Sequence, residues 1–135
     1  IAGPTREWDV TGVDVVESVI DVAELGVPRT DPSLLRGGDP VRNAQLLRAA
    51  LDGSEPAGPD ASQIVAIRDA VAVNAAAALV AYAAALDDAT ATTADLLGRI
   101  GEQLPRARAA LADGSALAVL ERWAAVTRTL RDDRP

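Results

Sequence analysis

Residues 37–40 have the types and spacing of either a phosphate-binding loop or a helix cap. Gly37, Gly38 and Asp39 stand directly before Pro40, where a run with helical apolar spacing begins. A phosphate site at a helix N-terminus needs free backbone N–H groups and no competing negative charge. Here the carboxylate of Asp39 would occupy that position, and Pro40 has no N–H. Asp is a favoured N-cap and Pro a favoured first helical residue, so the sequence predicts a cap that binds no phosphate.

The rest of the chain offers a narrow range of catalytic side chains. All 13 basic residues are Arg, and His and Cys are absent. The chain therefore has no imidazole base, no Schiff-base lysine, no thiolate nucleophile and no soft metal site. No catalytic, cofactor-binding or metal-binding residue is predicted within it. The net charge is −7 and the Arg residues are scattered among acids, which argues against nucleic-acid binding.

Four further side chains have both a functional and a structural interpretation. Asn74 is either a ligand hook or a buried amide bonded to a neighbouring loop or strand, and the second is favoured. Arg68 and Asp69 are either a binding pair or, as we favour, an ordinary polar part of a helix face. Trp123 is either the edge of a partner-binding surface or, as we favour, a core residue.

An apolar run at 70–86 resembles a membrane span, but it is too short and too rich in Ala, and it contains Asn74 and Tyr82. We therefore expect no membrane helix. No secretory leader is visible, and the absence of Cys suits a cytosolic protein. Because the chain begins with Ile, we expect a processed chain, a truncated one or a fragment.

The elements that must position these residues begin with a β-hairpin at 5–22, rich in Val, Thr and Trp, with its turn at Thr11-Gly12. The hairpin has more apolar surface than two strands can hide, so we expect it to be the edge of a larger sheet. Thr5 and Arg6 would line a site only if the chain continues upstream. In the connector at 23–39, Asp31-Pro32 predicts a single helical turn.

Helices are predicted from residue 40 onward, at 40–51, 61–86, from about Thr93, and at 115–131. Pro105 is expected to kink or restart the third helix. The residues after 130 are expected to fray. The predicted inner face of the second helix comprises Ile64, Ile67, Val71, Ala75, Ala78, Leu79 and Tyr82. That of the fourth comprises Leu117, Leu120, Trp123, Ala124 and Thr127.

Five stretches in a fixed order resemble a known family. They are the GPT turn followed by a Trp-containing strand, "DVAELGVP", "LRGGDPVRNAQLLRAAL", "IRDAVAVNAAAALVAYA" and "ALADGSALAVLERW". Together they resemble the C-terminal part of anthranilate phosphoribosyltransferase, over nearly all 135 residues. The longer insert at 87–105 departs from the family pattern.

The resemblance implies an α/β fold of the phosphoribosyltransferase and nucleoside phosphorylase type, of which this segment is mostly α-helical with an N-terminal β-hairpin. Residues 1–135 would be the C-terminal part of the large α/β domain, with hairpin and connector at 1–30 and helices at 31–135. The implied reaction transfers phosphoribosyl from phosphoribosyl pyrophosphate to anthranilate in tryptophan biosynthesis, with Mg²⁺. The enzyme is expected to be a cytoplasmic homodimer that pairs through regions outside this segment.

The family's pyrophosphate loop, its K-H-G-N segment and its acidic Mg²⁺ pair are expected upstream of residue 1, so this chain alone is predicted to be inactive. The glycines at 37–38 are not the family's pyrophosphate loop. The alternative is a stand-alone acidic helical interaction module without catalytic activity, and a degenerate paralogue is also compatible with the sequence.

Overall fold

The computed structural model describes residues 2–86 and 95–132, which form a two-stranded antiparallel hairpin followed by helices. The elements are β1 (Thr5–Asp9), β2 (Val16–Ile20), two 3-10 turns (Val22–Leu25 and Pro32–Leu35), α1 (Pro40–Leu51), α2 (Ala61–Ala85), α3 (Leu96–Ala112) and α4 (Ser115–Asp132). The predicted mostly helical chain with an N-terminal hairpin is therefore confirmed. The predicted helical turn at Asp31-Pro32 is also confirmed, since the Asp31 side chain accepts from the Ser33 N–H at 2.8 Å.

The hairpin pairs Thr5 with Ile20 and Asp9 with Val16. Its connection runs through residues 10–15 and is longer than the tight turn predicted at Thr11-Gly12. The Asp9 carboxylate accepts from both the N–H and the hydroxyl of Thr11, at 2.9 and 2.6 Å. An Asp side chain that bonds the backbone two residues onward forms its own turn, so the chain reverses gradually from Asp9.

Helix α2 is the central element and packs mainly against α3. Its small side chains allow close approach, and Ala72 and Ala76 are fully buried there. The predicted inner face of α2 is only partly correct, because Ala78 and Tyr82 are exposed. The helix is apolar on nearly all sides, so its spacing does not select one face. The buried positions are Ile64, Ala66, Ala72, Ala76 and Val80.

Among the described residues, α2 is the one helix long and apolar enough to cross a membrane. This is a statement of length and composition only, and the core helix of a folded domain meets the same criterion. One third of its most apolar window, 33%, is buried inside the chain. The predicted absence of a membrane helix therefore stays a prediction.

Helix α3 begins at Leu96, where the Asp95 side chain caps it by accepting from the Gly98 N–H at 2.8 Å. The predicted start near Thr93 lies outside the described residues. The helix continues through Pro105, so of the predicted kink or restart the restart is wrong, and the kink stays a prediction. Both halves are held in one core by side chains at helical spacing, which are Ile100, Leu104, Ala107 and Leu111.

Helix α4 contains no fully buried residue among those described. Leu117 and Leu120 pack against the core as predicted, and Ala124 is half-buried. The prediction is wrong for Trp123 and Thr127, which are exposed. The side of α4 that packs against the chain includes Leu117, Leu120 and Ala124, and the described residues after Ala124 are exposed. The helix extends to Asp132, and the rest of the predicted frayed end lies outside the described residues.

Candidate functional site

The start of α1 is closed by its own side chains, as the cap prediction requires. The Asp39 carboxylate accepts from the Arg42 N–H at 3.0 Å. Asn43 clamps the preceding turn, since its Oδ1 accepts from the Gly38 N–H at 2.8 Å and its Nδ2 donates to the Gly38 carbonyl at 3.1 Å. A Cβ added at Gly37 would lie 3.2 Å from Asn43 Oδ1. The cap is confirmed, and the N–H groups of Gly38, Arg42 and Asn43 already have acceptors within the chain.

Arg42 joins the first turns of α1 and α2. Its guanidinium binds Asp60 through both terminal nitrogens, one of them at 2.9 Å. The hydrogen bond from Arg42 is the main reason why the pKa of Asp60 is lowered. A bidentate Arg–carboxylate pair fixes geometry well, but it leaves neither charge free for a ligand. The sequence analysis overlooked this pair, because 18 residues separate its members.

Arg68 ties α2 to the end of α1. Its Nε donates to the Ala50 carbonyl at 3.0 Å, and its Nη2 donates to the carbonyls of Ala49 and Ser54 at 3.2 and 2.7 Å. The same nitrogen lies 3.2 Å from Asp52. The last carbonyls of a helix lack hydrogen-bond donors within the helix, and the Arg68 guanidinium donates to two of these carbonyls in α1. Arg68 is therefore a structural residue, with a more specific role than the predicted polar helix face.

Asp69, the neighbour of Arg68, lines an open cleft of about 250 Å³ together with Arg108, Val65 and Leu111. Its carboxylate lies 3.8 Å from the Arg108 guanidinium. Burial raises the pKa of Asp69, and the charge of Arg108 opposes that shift. The pair could hold a small polar group, and Glu55 and Arg68 are the other charged residues that line the cleft.

Asn74 is exposed, and its Nδ2 donates to the Ala70 carbonyl one turn earlier at 2.8 Å. The prediction of a buried amide bonded to a neighbouring loop or strand is therefore wrong. Asn74 faces away from the α2–α3 contact, because Ala72 and Ala76 on either side of it are the buried positions. Its amide is used within its own helix, which gives no support to a ligand hook.

A cavity of about 360 Å³ lies between the hairpin and the start of α3. Asp9, Ser18 and Arg99 line it. Arg99 forms an ion pair with Asp9 and donates to the Thr11 hydroxyl at 2.7 Å. The hydrogen bond from the Thr11 hydroxyl is the largest cause of the lowered pKa of Asp9, to which Arg99 also contributes.

Two polar atoms in this cavity, Ser18 Oγ and Arg99 Nε, are buried and have no hydrogen-bond partner among the described residues. A serine needs an adjacent base to become a nucleophile, and the carboxylate of Asp9 is engaged by Arg99 and Thr11. The arrangement therefore anchors the hairpin to α3. Beyond that, the cavity could accept a hydrogen-bonding group, and Glu24 and Asp95 also line it.

Comparison with known proteins gives a consistent result over nearly the whole chain. Three curated proteins named anthranilate phosphoribosyltransferase match it, from Arthrobacter sp. (strain FB24) at 40% identity over 93% of the chain, Nocardia farcinica at 41% over 95% and Salinispora arenicola at 42% over 96%. The chain is similar to part of anthranilate phosphoribosyltransferase. It spans about a third of the length of these relatives, between 32% and 34%. No protein-family model and no solved structure matches it.

The similarity to anthranilate phosphoribosyltransferase confirms the resemblance inferred from the five quoted stretches. A match over 96% of the chain leaves only a few residues outside it, so it includes both the hairpin and most of α4. Within residues 2–86 and 95–132, no group of three or more Asp or Glu side chains could hold a metal ion. The described residues thus provide a cap, two Arg contacts between helices and an anchor for the hairpin.

Proposed function

We propose that this chain is the C-terminal scaffold portion of an enzyme that transfers phosphoribosyl from phosphoribosyl pyrophosphate to anthranilate in tryptophan biosynthesis. The observation that carries this proposal is the identity of 40–42% to anthranilate phosphoribosyltransferases over 93–96% of the chain. No observation favours the alternative of a stand-alone acidic interaction module. The proposed fold is the α/β type of that family, with hairpin and connector at 1–30 and helices at 31–135.

The contacts within the chain support a scaffold role. The carboxylates of Asp39, Asp60 and Asp9 are each engaged by a backbone N–H or an Arg guanidinium, and Asp69 lies beside the guanidinium of Arg108. A general base must be able to reach the proton that it removes. We therefore assign the chemical step to the two thirds of the longer protein that this chain does not span.

Mg²⁺ is proposed as the metal of the longer enzyme. Since the described residues contain no suitable group of carboxylates, we place its ligands in the rest of that protein and assign this chain no role in metal binding. We further propose a cytoplasmic homodimer that pairs outside this segment, without a nucleic-acid or membrane partner. The net charge of −7 supports the absence of nucleic acid.

The test compares the longer protein containing this sequence with the 135-residue chain. Each is mixed with anthranilate, phosphoribosyl pyrophosphate and Mg²⁺, and the loss of anthranilate fluorescence is followed. We expect turnover by the longer protein only, and none when phosphoribosyl pyrophosphate is omitted. Far-ultraviolet circular dichroism of the chain in the same buffer shows whether it is helical. No turnover by the longer protein, or turnover by the pure chain, would contradict the proposal.

A further inference from the structure

Helix α4 has a second apolar side that nothing in the described structure covers. Val119, Trp123, Val126 and Leu130 are 52–69% exposed. Their spacing of four, three and four residues places all of them on one face of the helix. We name these four side chains the α4 stripe. It spans about 17 Å at 1.5 Å per residue, which is enough to seat three turns of another helix.

The opposite side of α4 is already in use. Leu117 and Leu120 pack against the main core, and Glu121 forms an ion pair with Arg48 of α1. The stripe is therefore not the surface by which α4 joins this chain. A helix that is apolar on two sides is typical of the interior of a larger protein, where a second layer covers it.

The area of the stripe indicates what that layer belongs to. Four side chains at this exposure offer roughly 400 Å² of apolar surface. A stable interface between separate molecules buries about 800 Å² on each partner, so the stripe alone is too small to hold a second copy. Docking within one polypeptide needs less area, because the linked segments meet at high effective concentration.

We propose that the α4 stripe is the docking surface for an apolar helix face from the two thirds of the longer protein that this chain does not span. The inference rests on the proposed function, because the relatives that supply the missing length are the anthranilate phosphoribosyltransferases. Their match extends over up to 96% of the chain, so the segment that bears the stripe is shared with proteins about three times as long.

The test uses two neighbouring substitutions in the longer protein, Val126→Asp in the stripe and Ala125→Asp beside it. Both side chains are exposed in the present structure. Intrinsic helix propensity makes Ala125→Asp the more costly change, because Ala is the best helix former. We expect the opposite order. Val126→Asp should lower the melting temperature of the longer protein by several degrees, and Ala125→Asp by less than about 1 °C.

In the 135-residue chain, the same two variants should keep equal helix content, which separates docking from folding of α4. Equal melting shifts in the longer protein, or no shift in either, would refute the docking surface. A change from dimer to monomer on gel filtration with Val126→Asp would assign the stripe to a second copy and also refute it. Anthranilate turnover by the unmodified longer protein is measured separately, so loss of the proposed function is distinguished from loss of the docking surface.

Discussion

Replacing Arg68 with Met should destabilise the chain more than any exposed Arg substitution. Met keeps an unbranched apolar side chain but removes the guanidinium that donates to the carbonyls of Ala50, Ala49 and Ser54. Ala50 is fully buried, so water does not easily replace Arg68 there. An unpaired buried acceptor costs the full loss of its hydration.

The magnitude follows from the two helix carbonyls. Hydrogen bonds from a charged donor contribute about 1.5–3 kcal/mol each. The carbonyl of the exposed Ser54 can bond water instead, so only the hydrogen bonds to the carbonyls of Ala49 and Ala50 are counted. Because the Arg68 side chain is 19% exposed, each of these two hydrogen bonds is given a value at the low end of that range. The expected loss is about 2–4 kcal/mol, or roughly 10 °C in melting temperature for a domain of this size. Urea unfolding followed by circular dichroism at 222 nm measures it.

Two matched variants isolate the cause. Arg106→Met changes an exposed Arg on α3 and should cost less than about 0.5 kcal/mol. Asp52→Asn keeps an oxygen acceptor for Arg68 and Ser54 but removes the charge, and it should cost less than about 1 kcal/mol. If Asp52→Asn destabilises as much as Arg68→Met, the ion pair and not the carbonyl cap is responsible. Equal losses in Arg68→Met and Arg106→Met would refute the cap altogether.

Two further predictions concern the hairpin and the cleft. Arg99→Met should raise the rate of amide exchange in β2 by about tenfold or more and leave α2 protected. The reason is that Arg99 binds Asp9 and Thr11, and a two-stranded hairpin is marginally stable alone. Unchanged exchange in β2, measured by hydrogen–deuterium mass spectrometry, would contradict this prediction. Burial raises the pKa of Asp69 above 3.8 in the folded chain. Just above that pH the folded chain therefore binds more protons than the unfolded chain, and the free energy of unfolding falls as the pH rises through this window. Asp69→Asn should therefore gain urea stability relative to the unsubstituted chain as the pH rises from 3 to 7, and an equal difference at both pH values would count against the prediction.

Local chemistry made several elements predictable. Asp39-Pro40 and Asp31-Pro32 are cap and first-turn pairs whose preference depends only on neighbouring backbone, and both begin helical turns as expected. The hairpin was predictable from its Val, Thr and Trp content. Its longer connection was not, because the turn at Asp9 depends on a side chain that the Thr11-Gly12 signal does not include.

Contacts between distant segments were not predictable in the same way. Arg68 is on α2, but its partners lie at the end of α1 and in the loop after it, 14 to 19 residues earlier. Nothing in the spacing around Arg68 indicates a helix end beside it. The prediction of the inner face of α2 was partly wrong for a related reason. An Ala-rich helix has several apolar faces, and its neighbours in the fold decide which of them is buried.

Two aromatic residues on different helices were predicted to be buried and are exposed. Trp123 and Tyr82 were expected in the core by residue type and spacing, and both are exposed. On the hairpin, the pairing of Trp8 with Glu17 and of Arg6 with Val19 puts Trp8 and Val19 on one face, where both are more than half exposed. The same face carries the exposed Arg6–Glu17 ion pair at 2.8 Å, which interrupts its apolar surface, so the expectation that the hairpin is the edge of a larger sheet stays a prediction.

Three separate elements thus present large apolar side chains to solvent. Single exposed apolar residues are ordinary, but rows of them at strand or helix spacing mark a contact surface. Of the three, the α4 stripe is such a row at helix spacing. The proposed docking of a further helix on this stripe accounts for it, as the threefold length of the relatives suggests. A free-standing module would need a separate partner to cover it.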